Sequence, residues 1–279
     1  MLFLYSITPN SNPLPHLRLL SLLLACSFLF FGCEENFELP ALSDFDKSER
    51  EALGESLLKA YLGRAETTLL PRTGTYAPVY AYVEALYAQA SNEYRRDNQS
   101  VDPWTPGRAW TVTITQSEAA TLLAFPGGNV VMSTGLLRQL NREYELYHLL
   151  ALEATLVHEG FILEQLVDDY GLESLELIAN ADAPEALSVF QNLAAAYPTL
   201  ALSPARLQAA DPLAQALICR SSLYAPYGTL PLIEKFGEAA YFLARPGYGG
   251  RAAALANFSA DCGTLETNGG YASEVLAHL

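Results

Sequence analysis

Basic residues are scarce in this chain of 279 residues. Its 16 lysines and arginines are outnumbered by 31 aspartates and glutamates, and the formal net charge at pH 7 is -15. A chain this acidic is repelled by the phosphates of nucleic acid and by anionic lipid head groups. We therefore exclude nucleic acid as a partner.

Histidine and cysteine are also rare, with four residues each. No Gly-x-Ser-x-Gly motif is present, and Cys219 and Cys262 have no evident histidine partner, which argues against a serine or cysteine nucleophile. Outside the cytoplasm these two cysteines can form a disulfide with each other. Two buried free thiols are the alternative.

The sequence has no apolar run near its N-terminus that is long enough to span a membrane comfortably, which takes about 20 residues. The run from Leu19 to Phe31 follows Arg18 and ends at Gly32-Cys33, before an acidic stretch. This layout is typical of a bacterial lipoprotein signal peptide, so we predict a signal peptide with its lipidation site over residues 1–33 and the lipid on Cys33. The protein is then a cell-envelope lipoprotein of the outer membrane, on the periplasmic or the surface side. Simple secretion and an uncleaved anchor are alternatives, and Cys26 is a second match to the lipidation motif.

The rest of the chain predicts one mainly helical domain over residues 46–279, after a linker over 34–45, although two small domains also fit the length. Apolar spacing and end signals predict helices over residues 46–63, 78–95, 142–169, 172–180, 183–196, 204–223, 230–243 and 250–260, and helical structure from 135. Pro212 is expected to kink or split its helix. Strands are predicted at 110–115, 121–124 and 129–132, after a loop between residues 97 and 108. The expected class is α+β, mainly helical, with a small sheet packed on a long central helix.

One block of motifs stands out between residues 126 and 156. Pro126-Gly127-Gly128 begins a strand, Gly135-Leu136-Leu137 begins a helix, and Glu145-Leu146 follows after seven residues. The block resembles the HtpX-like and CAAX-prenyl-endopeptidase-like zinc metallopeptidases, peptidase family forty-eight, which continue into His-Glu-x-x-His. The resemblance extends loosely over residues 76–258 and implies a zincin-like domain.

The metal ligands that this resemblance implies are missing. The two histidines of the family motif fall on Leu152 and Leu156, and its third ligand falls on Ala209. Zinc peptidases need two imidazoles on one helical face to hold the ion and a glutamate to take a proton from zinc-bound water. Glu153 keeps the place of that glutamate as a vestigial general base. No cofactor is expected, and zinc would be the cofactor only of an active enzyme.

The His-Glu-x-x-His motif can also be aligned with the sequence in a different register. His158-Glu159 would serve as its start only with a six-residue insertion inside a helix, and the second histidine would then be Ile162. We interpret His158 as a histidine near a helix surface. His148 lies one turn before Leu152, about 16 Å from Glu159, which is too far to share an ion.

We expect Leu152 and Leu156 to fill the space of the missing metal site around the Glu153 carboxylate. We call these two leucines the apolar plug. Each buried leucine stabilises the fold by roughly 1.5 to 3 kcal/mol, and an alanine at position 209 removes a buried charge. A buried Glu153 is costly unless it is paired or protonated. Arg245 or Arg251 is the expected partner of Glu153, and the alternative is that Glu153 points outward to water.

The resemblance also implies a polypeptide-binding strand, because the family pairs extended substrates with the sheet edge after Pro-Gly-Gly. The edge is predicted over residues 128–132, and the substrate-binding residues are Gly127, Gly128, Asn129, Val130 and Val131. A strand capped by its own loop is the alternative.

Three functions remain open at this point. The first is a lipid-anchored, catalytically inactive homologue of these peptidases that binds polypeptides in the cell envelope. The second is an active zinc metalloendopeptidase with atypical ligands, which would retain a role in proteolysis. The third is a purely structural envelope lipoprotein.

Overall fold

The computed structural model describes residues 45–97, 110–180, 184–221 and 269–279, with Tyr224, Leu232 and Lys235 as single residues. These residues are mainly helical and include a small mixed sheet, so the predicted α+β, mainly helical class is confirmed. Several predicted features lie outside the described residues: most of the loop between 97 and 108, the helices 230–243 and 250–260, Cys26, Cys33, Cys262, Arg245 and Arg251.

The described elements agree with most of the predicted bounds to within a few residues. The helices are α1 (Lys47–Leu62), α2 (Ala77–Asp97), α3 (Thr134–Gln139), α4 (Glu143–His158), α5 (Phe161–Tyr170), α6 (Leu172–Asn180), α7 (Pro184–Ala196) and α8 (Pro204–Ser221). The strands are β1 (Val112–Thr115), β2 (Leu122–Ala124) and β3 (Val130–Ser133). All belong to one compact unit over residues 43–279.

Helix α1 begins where the predicted cap stands. The Asp46 carboxylate accepts a hydrogen bond from the Glu49 amide, and the Glu49 carboxylate accepts one from the Asp46 amide, both at 2.9 Å. This reciprocal capping box satisfies two amides that have no partner within the helix. Leu53 and Leu57 then lie on the buried side of the helix.

The predicted single helix over residues 142–169 is wrong, because it is two helices. Helix α4 ends at His158 and α5 begins at Phe161, with a bend of 57° between them. Gly160 adopts a left-handed conformation, with φ of 75°, which glycine enters without a steric penalty and which ends a right-handed helix. No single described helix is long and apolar enough to cross a membrane, and only the bent pair meets that test jointly, as buried core helices also do.

Strand β3 is the central strand of the three-stranded sheet. Strand β1 pairs in parallel with β3, with Val112 opposite Val130, and β2 pairs in antiparallel fashion, with Leu123 opposite Val131. The order β1-β3-β2 shows that the predicted edge over residues 128–132 is wrong. The backbone around Leu70 covers the outer side of β1, since its amide donates to the Ile114 carbonyl at 2.8 Å.

Helix α8 is fixed against α5 by one arginine. The Arg206 guanidinium bonds to Glu164 at 3.2 Å, to the Gln165 side chain at 2.8 Å and to Asp168 at 2.6 Å. Arg206 is largely buried, so these charge-assisted hydrogen bonds stabilise the contact more than exposed ion pairs would. The helix continues through Pro212, so this proline does not split it.

Cys219 in the last turn of α8 is disulfide-bonded. The alternative of a free thiol at this position is therefore wrong. The other three cysteines of the chain lie outside the described residues, so pairing with Cys262 stays a prediction.

Helix α1 crosses the Pro126-Gly127 turn in direct contact. A Cβ atom on Gly54 would lie 1.7 Å from the Pro126 carbonyl oxygen, and one on Gly127 would lie 2.9 Å from the Glu51 Cα. Only glycine at position 54 allows the helix to approach this closely. The Pro-Gly-Gly segment is therefore a packing surface for α1.

A Gly54→Ala substitution tests this contact. Alanine in place of glycine inside a helix usually adds up to about 1 kcal/mol of stability. Here we expect a loss of about 1 to 3 kcal/mol in the free energy of unfolding, because the added methyl group overlaps the Pro126 carbonyl. Urea unfolding measures the difference.

Gly63→Ala at the end of α1 is the matched control. Gly63 has φ of -79°, and its nearest neighbour to an added Cβ is the Lys59 carbonyl oxygen at 3.2 Å. We expect its effect to stay within about 0.5 kcal/mol. A stabilising Gly54→Ala would contradict the close approach of α1.

Candidate functional site

The site predicted from the motif block lies on α4, and its leucines are buried. Leu152 is 4% exposed and Leu156 is 0% exposed, which confirms that both positions carry buried apolar side chains. Glu153 is also 0% exposed, so the alternative in which its carboxylate points to water is wrong. The Glu153 carboxylate therefore lies in the protein interior, close to two buried leucines on the same helix.

A cavity of about 20 Å³ beside Leu156 is the space that remains at this site. It is bounded by Pro126 and Gly127 on the sheet side and by Lys47 and Arg50 of α1. A volume of this size holds about one water molecule. Helix α1 and the Pro126-Gly127 turn therefore leave little open space beside Leu156.

Glu153 acts electrostatically on Tyr87 of α2. Complete burial raises the pKa of the Tyr87 hydroxyl well above its usual value, and the Glu153 charge raises it further. The Tyr87 hydroxyl donates to the Gly128 carbonyl at 3.3 Å. Glu153 and the Pro-Gly-Gly turn therefore both lie near Tyr87. Pairing of Glu153 with Arg245 or Arg251 stays a prediction.

His158 is buried, so the prediction that it lies near a helix surface is wrong. Its ring is 1% exposed and packs against Trp110 at 4.6 Å between ring centres, and Trp110 packs in turn against Tyr87 at 4.8 Å. Gly128 has φ of 90°, and a Cβ atom there would lie 2.5 Å from the Trp110 indole nitrogen. The second glycine of the motif therefore makes room for the indole that covers the end of α4.

Tyr87 and Trp110 were not among the predicted site residues. Tyr87 belongs to an apolar stripe of α2 that indicates a core face, and Trp110 stands at the start of a predicted strand. The sequence does contain a signal for this contact. A large aromatic residue, Trp110, precedes β1, and two glycines, which leave room for a large side chain, precede β3. Their contact is long-range, and one sequence alone does not pair them.

His148 is held by its own helix. It is 2% exposed, and its Nδ1 lies 2.6 Å from the Tyr144 carbonyl oxygen. Across the described ranges, no group of three or more histidine, cysteine, aspartate or glutamate side chains is placed to hold a metal ion. The absence of a zinc cofactor stays a prediction from the sequence.

Ala209 does not occupy a buried ligand position, which corrects the assignment of the third ligand. It is exposed on α8, whereas Leu207 and Asp211 are buried. Successive helical residues are rotated by about 100°, so a residue two positions from Leu207 points to the opposite side. The buried i, i+4 pair Leu207 and Asp211 marks the inner face, so Ala209 does not remove a buried carboxylate.

The predicted substrate-binding residues are covered by other parts of the protein. Gly127 contacts α1, Gly128 contacts Trp110, and the Asn129 side chain accepts a hydrogen bond from Thr111 at 2.5 Å. Val130 and Val131 lie in the central strand. Backbone pairing with an added strand is therefore not possible there.

The outer side of β2 is the sheet edge nearest α4. In the described residues no further strand pairs with the outer side of β2, and this strand packs against α4. The Tyr197 hydroxyl donates to the Ala124 carbonyl at 2.5 Å on this side. Tyr197 is a third residue that sequence reasoning missed.

A larger open pocket of about 370 Å³ lies past the end of β1, beside Gln116, Ser117 and α3. Its charged lining residue Arg138 already bonds to Glu118 at 2.9 Å and to the Leu279 carbonyl oxygen at 2.8 Å. The pocket contains no residue of the predicted site.

Comparison with protein-family models finds none that matches the chain, and comparison with curated proteins finds no matching relative. The resemblance to zinc metallopeptidases therefore depends on the residues between Pro126 and Leu156 themselves.

A Leu156→Ala substitution tests the apolar plug. We expect the free energy of unfolding to fall by about 2 to 5 kcal/mol, because the change leaves a cavity where the helix touches Pro126 and Gly127. Leu177→Ala on α6 is the matched control, since Leu177 is 46% exposed, and we expect it to cost less than about 1 kcal/mol. Equal effects in urea unfolding would contradict the buried plug.

Proposed function

We propose that this protein is a lipid-anchored, catalytically inactive homologue of the HtpX-like zinc metalloendopeptidases, with a zincin-like fold, that binds polypeptides in the cell envelope. One observation carries the proposal. Leu152 and Leu156 fill fully enclosed positions in a helix that otherwise keeps the surrounding motif frame.

Catalysis by zinc needs three protein ligands and an open coordination position for water. The leucines at positions 152 and 156 offer no metal ligand, and the cavity beside Leu156 has room for about one water molecule. Glu153 is enclosed with them. A general base in that position has no route to bulk water or to a substrate.

Binding of an extended polypeptide needs only backbone groups at a sheet edge. In the described residues the outer strand beside α4 is β2, in place of the edge first predicted at β3. Leu122, Leu123 and Ala124 are 1%, 5% and 2% exposed, so pairing there requires that the parts of the chain covering β2 move aside. The binding function is therefore independent of the lost ligands, and it moves from residues 128–132 to Leu122–Ala124.

Two features support a location in the envelope. The predicted lipidation at Cys33 would attach the domain to a membrane through a lipid anchor. The disulfide at Cys219 is the second feature, because disulfides persist in oxidising compartments such as the bacterial periplasm. We propose an outer-membrane lipoprotein on this basis.

Zinc content and polypeptide binding test the proposal together. The full-length protein, purified without chelator and incubated with zinc, is analysed for metal and mixed with fluorescently labelled β-casein, an unfolded probe. We expect substoichiometric zinc, saturable casein binding and no cleavage.

About one zinc per chain with casein cleavage would contradict the proposal and favour an active enzyme with atypical ligands. Glu153→Gln is the control for that case, because loss of the general base removes cleavage by a zinc peptidase. No zinc and no casein binding would favour a purely structural lipoprotein.

A further inference from the structure

We infer that the outward surface of α7 and α8 is an interface through which two copies of this chain form a two-fold symmetric dimer. We call this surface the neutral strip, and it comprises the exposed residues between positions 187 and 213. The inference goes beyond the proposed function and does not depend on it, because the strip contains neither β2 nor the apolar plug.

The neutral strip carries no charge. Residues 187–213, which the structure describes throughout, include two charged side chains, Arg206 and Asp211, and both are turned inward. Arg206 bonds to α5, and Asp211 is 2% exposed. Helix α1, by contrast, exposes both Glu55 and Lys59. The strip is therefore an uncharged surface on a strongly acidic chain.

Helical spacing gathers the strip onto one face of each helix. Its members recur at every fourth position, which places them above one another on the helix surface. These members include Leu187, Gln191 and Ala195 on α7, and Ala205, Ala209 and Leu213 on α8. Thr199 and Ala201 are exposed and uncharged between the two helices, so the strip is continuous along the chain. Leu187 is 58% exposed and Leu213 is 38% exposed, which puts a large apolar side chain near each end.

The net charge decides which surface of one copy can approach another copy. With a net charge of -15, two copies repel each other wherever both present carboxylates. Contact between strip and strip brings no like charges together, and the cores of protein interfaces are depleted in charged residues. Contact between the strip and an acidic part of the second copy would bury carboxylates without a partner. The association is therefore face to face, with two-fold symmetry.

The polar side chains of the strip favour a second copy over lipid as the occupant. Gln191, Asn192 and Gln208 are exposed, and each amide carries both donors and an acceptor. Amides of one copy can therefore bond to amides of a symmetry-related copy. In lipid the same amides would lose their hydrogen bonds to water without replacement.

The area of the strip sets the strength of the dimer. At a rise of about 1.5 Å per residue, the 13 residues of α7 and the 18 residues of α8 are about 20 Å and about 27 Å long. A face about 10 Å wide on both helices gives roughly 500 Å² per copy, or roughly 1,000 Å² in total. Specific interfaces of this size are at the weak end of the range. We therefore expect a reversible dimer with a Kd of about 10 to 100 μM.

Sedimentation equilibrium of the full-length protein tests the dimer. A detergent with neutrally buoyant micelles accommodates the predicted lipid, so that only the protein contributes to the measured mass. The protein concentration runs from about 1 μM to about 1 mM, at about 0.05 M and about 0.5 M sodium chloride. We expect a monomer–dimer equilibrium that the higher salt tightens by about threefold or more. Salt screens the repulsion between two acidic copies, and the strip has no ion pair to lose.

Charge substitutions locate the interface. Leu187→Glu and Leu213→Glu each place a carboxylate in the strip, and two-fold symmetry doubles it. Gln191→Glu adds the same charge with almost no change of shape, so it keeps the test valid if a leucine variant folds poorly. Leu177→Glu is the matched control, because Leu177 is 46% exposed on α6, outside the strip. We expect the three strip variants to weaken association about tenfold or more, because like charges then face each other, and Leu177→Glu to change it less than about twofold.

Three results would overturn the dimer. The first is a monomer at every protein and salt concentration. The second is an association that salt weakens, and the third is one that Leu177→Glu weakens as much as Leu187→Glu does. If the monomer bound phosphatidylcholine vesicles and Leu187→Glu abolished that binding, the strip would contact a membrane instead of a second copy.

Discussion

The burial of α4 on all sides is the constraint on which the rest of this structure depends. From Glu145 to His158 every side chain of the helix is enclosed by protein. Helices α2 and α8 pack against it, and β2 lies against it on the sheet side. A helix in this position contributes strongly to stability, since each enclosed leucine adds roughly 1.5 to 3 kcal/mol. Among the described residues, the part of this helix from Glu145 to His158 therefore has no face in open solvent.

Local signals explain which parts of the fold follow from the sequence. The capping box at Asp46 and the apolar spacing of Leu53 and Leu57 depend on residues within a few positions of each other, so they predict α1 closely. The three strands were also predicted to within two residues, and β-branched residues mark β1 and β3. The buried pair Leu152 and Leu156 follows from spacing on one helix.

Two of the wrong predictions, those for β3 and His158, concern long-range packing. Sheet order decides that β3 is central, and nothing in residues 128–132 indicates which neighbours will pair with it. His158 is buried because Trp110, far away in the chain, packs over the last turn of α4. The position of Ala209 fails for another reason, because a shift of two residues along a helix moves a side chain to the opposite face. Gly160 carried a recognisable signal for the end of α4, since glycine is common after helix ends, but the apolar pattern on both sides outweighed it.

The disulfide at Cys219 bears on when the protein becomes stable. A crosslink of this kind commonly contributes about 2 to 4 kcal/mol, a sizeable part of the 5 to 15 kcal/mol that separates most native states from unfolding. Before oxidation the last turn of α8 lacks this restraint. If the chain is exported as proposed, it crosses the membrane without this crosslink and gains the added stability only in the oxidising compartment.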